Sequence, residues 1–346
     1  MEGQRNSGVE LLRIICMFGI IFMHTFGIFY DEVSGIYLMA GIAINSLFNM
    51  GVSVFMLISG YYEIHFSLKK LVRLESTVLF YSVCGMLLQG AVCGEWSAGA
   101  VVKAFFPIST RHYWYMSVYM ILFVFSGYIN GILDKINKKT FLTVIGLMLL
   151  FFSVMPTFTY FEIMGDNGKG VANMLLMYLI GRYIRIYNVK IPIKNAGGGV
   201  CCAFAVTFLL NYLASILLGG VGIFAPFARD NSLTVIIGSI FAFLLFRQAD
   251  FYVRFVNKIA GCMFAVYLSE GTVRMLLNRW IYWDKDVKVW YFLMVMTIYV
   301  ITVMTIGLCA EWIRKRIYGL FVRISSPARL DKLCRFVYCL FYRANE

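Results

Sequence analysis

Ten long apolar runs, separated by polar or glycine-rich segments, constrain the fold of this 346-residue chain more than any other feature. Hydrophobic residues make up 61% of the sequence and charged residues only 14%, whereas a soluble domain is about 25% charged. A bilayer crossing needs roughly 20 apolar residues, and backbone polar groups in lipid must be satisfied within the segment, which favours helices. The runs lie at residues 9–30, 36–62, 74–93, 113–133, 141–161, 171–187, 198–219, 232–248, 259–281 and 289–310.

These runs predict an all-α, polytopic integral membrane protein with about ten transmembrane helices. The composition excludes a soluble enzyme, a disordered protein and a compact nucleic-acid-binding domain. The net charge of +13 does not require nucleic acid, because basic residues collect in the cytoplasmic loops of membrane proteins. Alternate sides of the predicted membrane carry 23 and 8 Lys and Arg residues. This asymmetry predicts that both termini are cytoplasmic.

The chain divides into a predicted membrane domain, residues 1–310, and a basic amphipathic cytoplasmic tail, residues 311–346. Apolar residues recur at helical spacing among the basic residues of the tail, which favours a helix lying along the membrane surface. They are Leu330, Leu333, Phe336, Val337, Leu340 and Phe341.

Cysteine and histidine usage limits the chemistry that this chain can perform. The nine cysteines form no CxxC pair and show no metal-ligand spacing with histidine, so we predict neither a metal site nor a disulfide framework. The three histidines are His24, His65 and His112. A mechanism that needs imidazole therefore has few candidates.

Arg13 and His24 lie in the first run, where ionisable residues are costly enough to indicate function. Eleven residues at about 100° each place both side chains on one face of a helix, about 16 Å apart along its axis. A ligand along this face would have an anionic end near the cytoplasm and a reactive end deep in the membrane, as acyl-coenzyme A does. The alternatives are that Arg13 snorkels to the interface and that His24 bonds a neighbouring helix.

An ordered set of motifs between about residue 8 and residue 281 resembles the membrane acyltransferase 3 family. The Arg13-x10-His24 pattern resembles the family's Arg/Lys-x10-His signature, and the loop at 69–74 resembles its basic Arg-x-x-Arg loop, with Lys70 in place of the first arginine. The other similar segments are Gly51–Ile64, Arg111–Phe123, Asn231–Phe246 and Lys258–Gly271.

The resemblance implies a ten-span enzyme that moves an acyl group, usually acetyl, from cytoplasmic acetyl-coenzyme A to an extracytoplasmic hydroxyl. The implied acceptor is a carbohydrate or a lipid-linked glycan, and the implied location is a bacterial plasma membrane, with membrane lipids as partners. His24 would act either as a general base or as a covalent acyl relay, and the sequence does not separate the two. The oligomeric state also stays open.

The predicted donor-binding residues are Arg13, Lys70 and Arg73, because Arg and Lys recognise phosphate. An equal alternative for the two loop residues is ordinary charge that sets topology. Many family members carry a second histidine where this chain has Ser269 and Glu270. Glu270 is predicted to orient His24, to bind a sugar hydroxyl, or to pair with Arg274, four residues later.

The resemblance also implies an acceptor site with His112, Trp114 and Tyr115, and Ser59 is a further predicted acceptor-binding residue. Three of these residues also have a structural interpretation: Ser59 as a small packing residue, and Trp114 and Tyr115 as part of the interfacial aromatic belt. Two competing functions remain, a secondary transporter and a family relative without transferase activity. The chain shows no repeated halves of the transporter kind, whereas the absent second histidine favours the inactive relative.

Overall fold

A computed structural model describes residues 5–324 except 95, 160, 161, 220, 221, 224, 250, 282 and 284–286. All regular structure in these residues is helical, which confirms the predicted all-α class. The α-helices are α1 Ser7–Phe26, α2 Gly35–Phe48, α3 Gly51–Tyr61, α4 Leu68–Cys93, α5 Ala98–Phe105, α6 Trp114–Leu133, α7 Lys138–Leu149, α8 Met155–Thr159, α9 Val171–Ile186, α10 Ile193–Ala214, α11 Leu233–Arg247, α12 Arg254–Ala260, α13 Met263–Asn278 and α14 Val289–Ile324.

Seven helical segments of the described chain are long and apolar enough to cross a membrane, or eight if α12 and α13, which meet at 53°, form one span. Helices α9 and α11 contain 16 and 15 residues and are shorter than a full crossing. The seven segments are Ser7–Phe29, Gly35–Tyr61, Leu68–Cys93, Trp114–Leu133, Lys138–Thr159, Ile193–Gly219 and Val289–Tyr318. The protein is thus a multi-pass membrane protein, while the count of ten and the side of the termini stay predictions.

The predicted run at 36–62 is divided into α2 and α3 by a turn at Asn49 and Met50. The Asn49 side chain donates a hydrogen bond to the Ala228 carbonyl, and the Ser239 hydroxyl lies 3.4 Å from the Met50 carbonyl. Side chains therefore satisfy polar groups at this turn, as lipid-embedded structure requires.

Helix α1 is the centre of the bundle and packs against α2, α3, α11, α12, α13 and α14. It begins where the Asn6 side chain accepts hydrogen bonds from the backbone N–H groups of Gly8 and Val9, at 2.8 and 3.2 Å. Such a cap contributes about 1 kcal/mol. Gly8 lies so close to the Phe246 carbonyl that an added Cβ would overlap it. The start of α1 is thus fixed in position against α11.

Helices α3 and α9 approach each other closely through a pair of glycines. A Cβ on Gly60 would overlap the Tyr178 carbonyl, and a Cβ on Gly181 would overlap the Leu57 carbonyl. Small residues at a crossing allow this separation in membrane proteins. The contact holds α3 in place as one wall of the central cavity.

Helix α14 continues through the predicted domain boundary at residue 310. Just beyond it, the buried Glu311 accepts hydrogen bonds from Tyr81 at 2.9 Å and from Arg314 at 2.7 Å. Residues on both sides of the boundary therefore pack against the same bundle. The predicted amphipathic segment of the tail, residues 330–341, lies outside the described residues.

Candidate active site

A central cavity of about 770 Å³ lies among α1, α2, α3, α6 and α13. Apolar side chains such as Met17, Ile20 and Phe55 line its middle, and polar side chains are added where the loops before α9 and α11 meet it. Cavities of this size accommodate small-molecule ligands.

His24 lies in the last turn of α1, lines the cavity and is tied to α13. Its Nδ1 lies 3.0 Å from Oε1 of Glu270, whose side chain is 9% exposed. The other carboxylate oxygen accepts a 2.5 Å hydrogen bond from Nε of Arg274. Arg274 also donates to the His24 backbone carbonyl at 3.0 Å. The three residues form a closed ring of hydrogen bonds between the two helices.

This ring determines what the imidazole can do. A carboxylate accepts hydrogen bonds but does not donate them, so Nδ1 carries the proton and the lone pair is on Nε2. The partner of one ring nitrogen thereby sets the chemistry of the other. With a side chain that is 43% exposed, His24 presents a basic nitrogen to a ligand.

A second cavity of about 450 Å³, called here the basic vestibule, adjoins the first. Its cationic lining comes from α1, α4 and α14, and two carboxylates, Glu63 and Glu311, accompany the cations. Glu63 is engaged by the buried Arg182 at 2.5 Å. The cations are Arg13, Lys70, Arg73, Arg314 and Lys315.

The vestibule and the central cavity adjoin each other, because six residues line both, and the two together are called here the passage. Arg13 belongs to this junction, where its side chain is 28% exposed and lies 3.4 Å from the carboxylate of the buried Glu10. The six shared residues are Arg13, Ser59, Leu74, Tyr119, Gly261 and Phe264. The passage thus runs from a cationic entrance, past Arg13, to His24.

Comparison with known proteins places this architecture in a family. A family model described as an acyltransferase domain matches residues 6–314 of the 346-residue chain. The chain belongs to the acyltransferase 3 family. The protein is therefore a membrane acyltransferase in general terms, and the match confirms the resemblance found in the motifs. No curated protein and no solved structure matches the chain.

In this acyltransferase, most of the predicted site residues line the passage. His24, Glu270, Trp114 and Tyr115 line the central cavity, and Arg13 and Ser59 lie at the junction. Lys70 and Arg73 line the basic vestibule. Glu270 contacts both His24 and Arg274, so two of the contacts considered for it occur together.

Two of the predicted acceptor-binding residues have other contacts in the structure. His112 does not line either cavity, and its ring packs against Tyr113 with centroids 4.7 Å apart. The Ser59 hydroxyl donates to the Phe55 carbonyl at 2.9 Å, one turn earlier in α3. His112 is thus separated from the passage, and Ser59 reaches it with its hydroxyl already bonded.

The structure of the acyltransferase also reveals lining residues that the motifs did not indicate. The central cavity receives Asn45 from α2, Asn49 from the turn after α2, and Lys169 and Asp230 from loops. The two asparagines, four residues apart in an apolar run, are a signal that the sequence contains. The loop residues are far apart in sequence, and only the fold brings them together.

Proposed function

We propose that the protein transfers an acetyl group from cytoplasmic acetyl-coenzyme A to a hydroxyl of a cell-surface carbohydrate at the plasma membrane. The observation that carries this proposal is that the basic vestibule adjoins the central cavity that His24 lines. A donor with anionic phosphates and a thioester at the end of a long arm matches a passage that is cationic at one end and has a base in its interior.

In this proposal the phosphates bind Arg13, Lys70 and Arg73 in the basic vestibule. Arginine offers two parallel hydrogen bonds to a phosphate, and lysine adds a mobile point charge. Glu10 holds the Arg13 side chain at the junction, so this guanidinium is in place before the donor arrives. The acyl arm extends from the junction into the central cavity.

His24 then acts as the general base. Nε2 accepts the proton of the acceptor hydroxyl, the oxygen attacks the thioester carbonyl, and the tetrahedral intermediate expels the coenzyme A thiolate. The imidazolium returns its proton to the thiolate. Glu270 stabilises the imidazolium through Nδ1, as a carboxylate does in the catalytic triads of hydrolases.

Donor binding provides the first test, by thermal unfolding of the purified protein with and without acetyl-coenzyme A. A ligand that binds only the folded state raises the unfolding temperature. We expect stabilisation of the wild type and its loss in Arg13→Ala, whose donor KM rises by about 10- to 100-fold, since a charge-assisted hydrogen bond contributes about 1.5–3 kcal/mol. The acceptor KM should not change.

Lys69 supplies the matched control for the vestibule. It is adjacent to Lys70 and equally exposed, yet it does not line the vestibule. Lys70→Ala should weaken stabilisation by the donor, and Lys69→Ala should preserve it. Equal effects would mean that loop charge in general, rather than a binding site, is responsible. Absence of stabilisation of well-folded wild type by any acyl-coenzyme A would contradict the proposal and favour a transporter or an inactive relative.

A further inference from the structure

One end of the central cavity, called here the polar chamber, differs from the rest of the passage. Its lining residues are His24, Tyr30, Asn45, Asn49, Lys169, Asp230, Glu270 and Arg274. Asp230 is 4% exposed, and its Oδ2 has no hydrogen-bond partner among the described residues. The Oδ1 of Asn45 is also buried without a partner there, although its Nδ2 donates to the Tyr30 hydroxyl at 3.0 Å.

Eleven buried side-chain polar atoms of the described residues have no hydrogen-bond partner, and Asp230 and Asn45 are the two residues among them that line the central cavity. Most buried polar groups in proteins are hydrogen-bonded. Leaving such a group unsatisfied costs about 1–3 kcal/mol. Both residues line the same cavity, and the amide oxygen of Asn45 and the ionised carboxylate of Asp230 accept hydrogen bonds. The chamber therefore lacks hydrogen-bond donors that a ligand would supply.

The position of Asp230 is built into the fold. Its backbone carbonyl accepts hydrogen bonds from the Ser53 hydroxyl at 3.4 Å and from the Asn173 side chain at 3.1 Å. Gly168, with φ +78°, lies so close that a Cβ would overlap Asn231. Contacts from α3, from α9 and from the loop before α9 thus fix the backbone of Asp230 at the cavity wall.

The charges of the polar chamber balance. Lys169 and Asp230 carry opposite charges, and Glu270 is paired with Arg274. Such a surface does not attract an anionic ligand more strongly than a neutral one, whereas the basic vestibule does. A ligand with several hydroxyl groups and no net charge supplies the required donors and suits the balance.

We propose that Asp230 and Asn45 bind the hydroxyl groups of an uncharged, polyhydroxylated acceptor and hold it next to His24. This inference rests on the proposed function and adds the acceptor site and its charge preference to it. Asp230 is then a substrate-binding residue that selects neutral acceptors. A cation is a poorer occupant, because no group of three or more His, Cys, Asp or Glu in the described chain could hold a metal ion.

The test measures binding of phenyl β-glucoside, phenyl β-galactoside and phenyl β-N-acetylglucosaminide by thermal unfolding without donor. Phenyl β-glucuronide, which carries a carboxylate, is the anionic compound for comparison with phenyl β-glucoside. We expect at least one neutral glycoside to stabilise the wild type more than the glucuronide does, and Asp230→Ala to raise its apparent Kd about 10-fold, as loss of hydrogen bonds to a charged group predicts. Stabilisation by none of the neutral glycosides, or equal stabilisation of Asp230→Ala, would overturn the inference.

Two further variants separate binding from folding. Asp230→Asn preserves the shape of the side chain and removes its charge. This variant replaces Asp230→Ala in the test if Asp230→Ala fails to fold, and the same rise in Kd is expected. Asp134→Asn is the control, since this carboxylate lies 3.4 Å from Arg182 and lines neither cavity. Acetyl-coenzyme A stabilisation is measured in parallel. Its absence in the wild type would contradict the proposed function, whereas its persistence with loss of glycoside selectivity would contradict this inference alone.

Discussion

The basic vestibule and the polar chamber are parts of one passage with opposite electrostatic designs. The vestibule has five cationic side chains and two carboxylates, whereas the chamber has two of each sign. Surplus charge attracts a charged ligand without fixing its orientation. Balanced charge with unpartnered acceptors recognises the positions of hydrogen-bond donors instead. The passage therefore separates attraction of one substrate from selection of the other.

In the proposed function the donor bound by the vestibule and the acceptor bound by the chamber react next to His24, so loss of His24 is expected to have the largest effect. His24→Ala removes the base and should lower kcat by about 10³-fold, within the range for general base catalysis. The rate of acetyl transfer is measured from the amount of coenzyme A thiol that is released. His24→Gln, which can still bond Glu270, should be equally inactive while binding acetyl-coenzyme A.

The same variants distinguish direct transfer from an acyl relay. Direct transfer leaves His24 unmodified, so rapid quenching and mass spectrometry of the wild type should show no acetylated peptide containing residue 24. An acetylated His24 that forms and decays at the turnover rate would contradict the direct step. A fully active His24→Ala protein would remove the imidazole from the mechanism.

Glu270→Gln is expected to lower kcat by about 100-fold with little change in either KM. The amide nitrogen would favour the tautomer with its proton on Nε2, the kind of error that disables triads. Glu162→Gln is the matched control, since this carboxylate has an exposed fraction of 10%, is 2.7 Å from Arg229 and lies outside both cavities. If both variants lose only expression, Glu270 is structural.

The predictions for His24 and Glu270 concern residues that local sequence patterns identify. The interval from Arg13 to His24 predicts a shared helical face, and the structure places both in one passage. The interval from Glu270 to Arg274 predicts their pairing, which is observed at 2.5 Å. Helical periodicity suffices here because each pair lies within a single helix.

Contacts between distant segments could not be predicted in this way. The separation of Asp230 from Asn45 is 185 residues along the chain, and no periodicity relates them. The turn at Asn49 lies within a continuous apolar run, so hydropathy alone predicted one helix there. Apolar composition likewise predicted full spans where α9 and α11 are shorter. At the turn, the hydrogen bonds from Asn49 to Ala228 and from Ser239 to Met50 are tertiary contacts that hydropathy does not encode.

Titration of Asp230 tests the role of the polar chamber, and we expect an effect of intermediate size. Burial raises the pKa of Asp230 to about 7, and the ammonium group of Lys169 opposes this rise. The ionised carboxylate accepts two hydroxyl hydrogen bonds, so the affinity for a neutral glycoside, measured without donor, should increase about 10-fold between roughly pH 5.5 and pH 8. Asp230→Asn should lack this increase. A parallel profile in the variant would assign the increase to another group.

The same shift predicts an effect on stability. The unfolded chain ionises Asp230 near pH 3.8 and the folded protein near pH 7, so folding free energy is lost as the pH rises between these values. Asp230→Asn avoids this loss. Its unfolding temperature should exceed that of the wild type at about pH 8 and equal it near pH 4. A less stable variant at the higher pH would contradict the burial of an ionising carboxylate.

Salt should have the smallest effect and should act on only one region. Because about 0.15 M salt screens exposed charges beyond roughly 8 Å, the donor KM should increase a few-fold between low and high ionic strength. The acceptor KM should stay constant, since the polar chamber has balanced charge. Equal salt dependence of both constants would remove the distinction between the two regions.

The position of Arg13 at the junction of the two cavities has a consequence for the cell as well as for the reaction. A water-filled path through a bilayer threatens the ion gradients on which the membrane potential depends. Fixed positive charge within a pore repels protons and metal cations, as an arginine does in water channels. The Arg13 guanidinium, which the donor phosphates would neutralise in the proposed function, therefore places positive charge where the two cavities meet and opposes the movement of cations between them.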